Sequence, residues 1–145
     1  SPYQSSKVNI IQNDARNFIQ HTKEKYDLIV YGLLDSHTSL SARGGIRLDS
    51  YVYTVDAFKE AKKILNEDGY ISLSFYVATI ELGAKIHLML KEAFSGNKPI
   101  VFKSSVNDRY IFISAKNSSL SALHGFLVCT GLILEVGIPR DFLIQ

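Results

Sequence analysis

The sequence predicts an α/β fold, in which strands and helices alternate around a largely parallel sheet. The alternation of apolar segments of strand length with segments of helical periodicity predicts it. The last two strand segments follow each other directly and predict a closing hairpin. An antiparallel hairpin is a common variation at the edge of such a sheet. The chain has 145 residues, of which 46% are hydrophobic, so we expect one domain over residues 1–145 with a real core.

The first part of the chain contains two predicted strands and a short helix. Residues 7–12 alternate loosely between polar and apolar side chains and predict the first strand. Asn13 or Asp14 can cap a helix through its side-chain oxygen, and we predict that helix over 15–21. After its leading aspartate, segment 27–31 is an apolar run, as expected for a strand covered on both faces.

The second part of the chain predicts further helices and strands after a long loop. Thr54 is a good N-cap, and the apolar stripe that follows it predicts a helix up to the turn at 66–69. Gly69 is well placed to end that segment. The remaining predicted elements are a strand at 70–77, a helix at 79–94, strands at 99–103 and 110–115, and a helix at 120–129.

The loop over residues 33–53 is the expected functional site. Ligands of α/β proteins bind where the carboxyl ends of strands meet their loops, and this loop follows a predicted buried strand. Structureless loops longer than about 12–15 residues are usually functional or disordered. Asp35, Ser36 and His37 offer a carboxylate and an imidazole that can orient an amine or take a proton. The alternative is a loop in which these side chains bond their own backbone.

Three further positions carry a functional interpretation beside a structural one. Asp14 either caps the helix or accepts a hydrogen bond from a ligand amine or ribose, and the two roles are compatible. Tyr51 and Tyr53 share one face if their segment is extended. They then either wall a pocket with their polar tips or pack the loop against the domain.

Several classes of function are not indicated. Cys129 is the single cysteine, which excludes an internal disulfide and a multi-cysteine metal site. The carboxylates and imidazole of Asp35, His37 and Asp49 match no metal motif by their spacing, so we expect no metal. No run of Lys or Arg suggests nucleic acid, and no apolar stretch reaches the roughly 20 residues that a membrane span needs.

Several segments together resemble a known family. The strand, Asp-Ala and helix over 8–18, the strand at 26–30 and the turn into a strand at 65–72 resemble the second half of a class I S-adenosylmethionine-dependent methyltransferase. More closely, the sequences D-A-R-x-F, Y-D-L-I and L-D-S-Y-V-Y-T resemble spermidine-synthase-like domains, some of them in membrane-attached bacterial proteins. The resemblance covers about 7–115. It implies a Rossmann-like, methyltransferase-type three-layer sandwich whose N-terminal strands are missing from this chain.

The resemblance also implies residue roles. Asp14 and Ala15 match the position that contacts the adenine of S-adenosylmethionine or its decarboxylated form. Asp35 matches the amine-binding aspartate of aminopropyltransferases, so it is the candidate catalytic residue. Gly32 stands where the family has the aspartate that acts on the attacking amine, and Ser36 stands where it has proline. Ser36, His37, Tyr51 and Tyr53 are the candidate contacts to the amine.

Two functions follow from this resemblance. One is transfer of a methyl or aminopropyl group to a small amine or other nucleophile in the intact protein. The other is a catalytically degenerate domain that binds a nucleoside or a partner protein, which Gly32 favours. The resemblance further implies a cytoplasmic domain, free or attached to a membrane protein. Exposed strand edges predict a homodimer.

Overall fold

The computed structural model describes residues 5–32, 51–77, 79–103 and 109–117. The described elements are α1 (Ala15–His21), β1 (Tyr26–Tyr31), α2 (Val55–Lys63), β2 (Leu65–Tyr76), α3 (Ile80–Ala93), β3 (Ile100–Lys103) and β4 (Arg109–Ala115). The alternation of strands and helices confirms the predicted α/β class. The predicted helix at 120–129 and Cys129 lie outside the described residues.

The four described strands form one sheet in the order β1-β2-β4-β3. β1 runs parallel to β2, with Ile29 opposite Ile71 and Tyr31 opposite Leu73. β4 is antiparallel to both β2 and β3, so the predicted hairpin is confirmed and β4 lies on its inner side. Within the described strands, parallel pairing is therefore restricted to β1 and β2.

The predicted first strand at 7–12 is wrong for this chain, because these residues form no strand. Their apolar side chains are largely exposed, with Val8 at 43%, Ile10 at 65% and Ile11 at 52% of full exposure. A strand needs a neighbour to accept and donate its backbone hydrogen bonds, and no described strand lies beside this segment. The alternating pattern alone does not supply that neighbour.

The three described helices begin close to their predicted starts. α1 spans the predicted range, and Thr54 and Thr79 cap α2 and α3 by accepting hydrogen bonds from the backbone N–H groups of Ala57 and Leu82. α3 ends at Ala93 with Phe94 as its C-cap, and the chain then turns through positive φ angles of 61° at Ser95 and 90° at Gly96. These turns confirm the predicted end of that helix.

The core lies between the sheet and the pair α2 and α3. Phe58 of α2, Leu90 of α3 and Phe112 of β4 are fully buried there, together with Ile71 and Leu73 of β2. This is one helical layer on one face of the sheet. Within the described ranges, no helix has the length and apolar character needed to cross a bilayer.

β2 begins at Leu65 rather than at residue 70, because the predicted turn lies inside the strand. Tyr26 pairs with Leu65, whereas Leu28 pairs with Tyr70, so residues 66–69 bulge out of the ladder. The turn is tight at Gly69, where an added Cβ would lie 3.0 Å from both the Asn66 and Tyr26 carbonyl oxygens. The predicted turn is thus present, but it interrupts a strand instead of preceding it.

Candidate functional site

The carboxylate of Asp14 caps α1. Its Oδ1 accepts a hydrogen bond of 2.9 Å from the backbone N–H of Asn17, which confirms the capping interpretation. Asn13 supports the cap, since its Oδ1 accepts from the Asp14 backbone N–H at 2.8 Å. Asp14 is exposed, and its other carboxylate oxygen accepts no hydrogen bond from a described residue. Because only one carboxylate oxygen caps the helix, the other can still accept a hydrogen bond from a ligand, and that role stays a prediction.

Arg16 brings the start of α1 to the residues that precede α2. Its Nη1 donates to the carbonyl oxygen of Tyr51 at 2.7 Å and to Oγ1 of Thr54 at 3.1 Å. Its Nε lies 3.3 Å from Oε2 of Glu60 on α2. The adenine-side candidates at the start of α1 and the amine-side candidates at 51–53 are therefore neighbours.

Aromatic rings fill the space at the carboxyl end of β1. The Tyr53 ring lies 6.3 Å from that of Tyr31 and 5.1 Å from that of Phe75, the latter edge-on. Tyr31 also meets Phe58 edge-on at 5.8 Å. Tyr51, in contrast, is 52% exposed. The two tyrosines thus differ in environment: Tyr53 packs the segment onto the core, and Tyr51 is accessible.

The phenol of Tyr31 stays protonated at neutral pH. The ring is 5% exposed, and burial raises the pKa of Tyr31 to about 12, with Tyr53 and Glu60 adding to the increase and Arg16 opposing it. Its hydroxyl has no hydrogen-bond partner among the described residues. Tyr31 therefore presents a protonated hydroxyl group at this strand end at neutral pH.

Gly32 directly follows β1 and is the last described residue before segment 33–50. It is exposed, its φ is not in the positive range, and an added Cβ would have no described atom within 4 Å. Neither its backbone conformation nor a described neighbour therefore requires glycine here.

The remaining predicted site residues, Asp35, Ser36 and His37, lie outside the described residues, as does Asp49. Their roles stay predictions. Among the described ranges, no group of three or more His, Cys, Asp or Glu side chains is placed to hold a metal ion.

Sequence reasoning missed Arg16 and Glu60. Arg16 was visible only as part of the D-A-R run, and nothing local indicates that its partners lie 35 and 44 residues further along, at Tyr51 and Glu60. A short sequence pattern predicts helix capping well, because the capping side chain and its backbone partner are only about three residues apart. Side-chain partners from distant segments depend on the folded arrangement.

The family of the chain follows from its match to known proteins. The sequence model of the spermine/spermidine synthase domain matches residues 1–108, so the chain belongs to this family. This agrees with the resemblance read from the sequence. The mixed α/β structure, with four strands and three helices described, is compatible with a fragment of a Rossmann-like, methyltransferase-type fold.

Two curated relatives carry related names. The chain is 34% identical over 67 residues to Polyamine aminopropyltransferase 2 of Aquifex aeolicus, a match over 46% of this chain and 12% of the relative. It is 32% identical over 98 residues to Polyamine aminopropyltransferase of Saccharolobus solfataricus, a match over 63% of this chain and 29% of the relative. The matches therefore span less than a third of either relative.

Proposed function

We propose that the natural polypeptide containing this chain transfers an aminopropyl group from decarboxylated S-adenosylmethionine to a small amine. The family match over residues 1–108 carries the proposal. Both relatives are named as polyamine aminopropyltransferases, which favours aminopropyl transfer over methyl transfer from S-adenosylmethionine. Arg16 adds support, because it joins the predicted nucleoside side of the site to the predicted amine side.

The reaction is a displacement at carbon. The lone pair of the amine nitrogen forms a bond to the aminopropyl carbon next to the sulfonium. The carbon–sulfur bond breaks, its electron pair stays on sulfur, and methylthioadenosine leaves while the amine loses a proton. Placement of the two reactants contributes much of the rate in such a step.

The residues take the following proposed roles. Asp14 and Ala15 contact the adenine of the nucleoside, and the free oxygen of the capping Asp14 carboxylate suits this contact. Asp35 binds and orients the amine, and Ser36 and His37 contact it from the same loop. Tyr51 and Tyr53 complete the amine side, with Tyr51 the accessible one of the pair.

Calorimetric titration of the natural polypeptide with methylthioadenosine tests these roles. We expect binding by the wild type, weaker binding by Asp14→Ala, and unchanged binding by Asp35→Ala. In a transfer assay, Asp35→Ala is expected to abolish turnover. No nucleoside binding by the wild type would overturn the proposal, and variants indistinguishable from it would overturn the site assignment.

A second candidate is a catalytically degenerate domain that binds a nucleoside or a partner protein. Gly32 favours it, since the described end of β1 offers neither a carboxylate there nor a basic form of Tyr31. Nucleoside binding without transfer to any amine would support this candidate. A cytoplasmic location, attachment to a membrane protein and homodimer formation remain predictions under either function.

A further inference from the structure

α1 is attached to the domain largely through polar contacts. The helix has no buried residue, and its Ile19 is only partly buried against the core. Two of its side chains, one turn apart, contact one carboxylate on α2. Arg16 Nε lies 3.3 Å from Glu60 Oε2, and Gln20 Nε2 donates to Glu60 Oε1 at 3.1 Å.

Arg16 differs from Gln20 because it reaches a third segment. Its Nη1 donates to the Tyr51 carbonyl oxygen at 2.7 Å and to Thr54 Oγ1 at 3.1 Å. Thr54 Oγ1 in turn accepts from the Ala57 backbone N–H and so caps α2. The side chains of Arg16 and Glu60 are 24% and 25% exposed, so solvent screens this contact only partly.

The planar guanidinium suits this arrangement. Its Nη1 donates to two acceptors of segment 51–54, while its positive charge lies beside the Glu60 carboxylate of α2, so one side chain contacts two segments at once. A lysine ammonium in its place is a single point charge, and a glutamine lacks the charge that pairs with Glu60. The contact to Tyr51 is also to the backbone, so it depends on Arg16 and not on the identity of the tyrosine side chain.

We propose that Arg16 is a positioning residue that holds the segment 51–54 against the first turn of α1. Asp14 begins the same helix, so Arg16 fixes the amine side of the site relative to the nucleoside side. This inference rests on the proposed function for its effect on catalysis. Arg16 itself contacts backbone, hydroxyl and carboxylate groups of the protein, and acts on the reaction only through the residues that it holds.

The test compares Arg16→Gln with Gln20→Ala in the natural polypeptide. Both variants remove a contact between α1 and Glu60, but only Arg16→Gln also releases Tyr51 and Thr54. Hydrogen exchange of the backbone amides over 51–58, followed by mass spectrometry, is expected to accelerate about tenfold in Arg16→Gln and to stay near wild type in Gln20→Ala.

Enzyme kinetics provide a second test of the positioning role of Arg16. For Arg16→Gln, the KM for the amine is expected to rise by about tenfold, while the dissociation constant of methylthioadenosine changes by less than about twofold. Gln20→Ala should change neither quantity. If Arg16 only stabilised the fold, the amine KM and the dissociation constant of methylthioadenosine would rise together, and Arg16→Gln and Gln20→Ala would show similar changes.

The outcomes separate the two proposals. Equal exchange rates in the two variants, or an unchanged amine KM in Arg16→Gln, overturn the positioning role. A wild type that transfers no aminopropyl group overturns the proposed function instead. Even then, the exchange comparison decides whether Arg16 holds the segment.

Discussion

Gly32 is the residue at which the proposed transfer reaction is most directly tested by substitution. It lies at the end of β1, where the family resemblance places an aspartate that acts on the attacking amine. Among the described residues no atom lies within 4 Å of an added Cβ, so no described contact requires glycine at this position.

Replacement of Gly32 by Asp should increase the rate of aminopropyl transfer. A carboxylate placed to accept the proton of the amine typically contributes about 10²-fold or more, so an increase in kcat of that order is expected. The matched control is Gly32→Asn, which has nearly the same size and no basic oxygen of comparable strength. Equal kcat values for the Asp and Asn variants would show that proton acceptance is not what this position lacks.

For Asp14, the local sequence pattern predicts one of two proposed roles. The capping role is visible in the sequence, because the side chain and its backbone partner are three residues apart. The ligand role depends on what approaches the helix from outside and is not visible in the same way. The family resemblance supplies it, and it stays a prediction.

At the scale of elements, the bulge in β2 depends on Gly69. An Ala Cβ would lie 3.0 Å from two backbone carbonyl oxygens and 3.1 Å from the Leu65 Cβ. The turn also anchors β4, since the Lys116 N–H donates to the Gly69 carbonyl at 3.0 Å and its ammonium to the Leu65 carbonyl at 2.9 Å. A shift of the backbone here therefore affects the pairing of β2 with both neighbours.

The Gly69→Ala variant should be less stable than the wild type by about 1–3 kcal/mol, because the added methyl group overpacks the turn. Gly32→Ala is the matched control, as its Cβ enters open space. Its free energy of unfolding should be unchanged or higher by up to about 1 kcal/mol, through loss of backbone freedom in the unfolded chain. Urea unfolding measures both, and equal stabilities would contradict the tight turn.

α3 buries a histidine. His87 is 7% exposed, and its Nε2 has no hydrogen-bond partner among the described residues. Burial lowers the pKa of His87, and the nearby charges of Lys91 and Lys98 lower it further. The folded state therefore binds a proton at His87 less readily than the unfolded state does.

This difference makes stability depend on pH. Because the folded pKa is below the unfolded value of about 6.5, the contribution of His87 is present above that pH and decreases as the pH falls through it. Urea unfolding at pH 7.5 and 5.5 should show a smaller loss of stability on acidification in His87→Gln than in the wild type. An identical loss in both proteins would mean that His87 does not titrate with unfolding.

The elements also show what the sequence predicts and what it does not. Helix starts at Thr54 and Thr79 and the hairpin at β3 and β4 are local patterns, and the structure confirms them. The buried face of α3 centres on Ile86, His87 and Leu90, whereas Leu88, which shares a helical stripe with Ala84, is 55% exposed. Which side of a helix meets the core depends on the direction in which it crosses the sheet.

At the scale of the whole molecule, the sheet is the part of the fold that depends most on distant segments. The pattern at 7–12 is that of a strand, yet the chain offers it no described neighbour, and its apolar residues stay exposed. The prediction that the strand at 27–31 is covered on both faces is wrong for the described structure, since Leu28 and Val30 of β1 are 55% and 61% exposed and the described helices form a layer on one face of the sheet only. Among the described strands β1 pairs on one side only, and exposed strand edges are the basis of the predicted homodimer, which stays a prediction.

The candidate site is also a property of the assembled molecule. It joins the start of α1, the end of β1 and the residues before α2, which are far apart in sequence and meet through Arg16 and the Tyr31–Tyr53 contact. The sequence predicts Asp14 and the tyrosines at 51 and 53 as candidates, but not Arg16, Glu60 or Tyr31, which bring these segments together. Their arrangement follows from the sheet order and the packing of α2, neither of which a local pattern contains.

An assay of aminopropyl transfer by the natural polypeptide is the most direct test of the proposed transferase activity. The protein is incubated with decarboxylated S-adenosylmethionine and a small amine such as putrescine or spermidine, and methylthioadenosine and the extended amine are quantified by mass spectrometry. We expect both products to form in equal amounts with the wild type, and neither to form with Asp35→Ala. Binding of the nucleoside without either product, for any amine tested, would contradict the claim that this member of the family is a transferase.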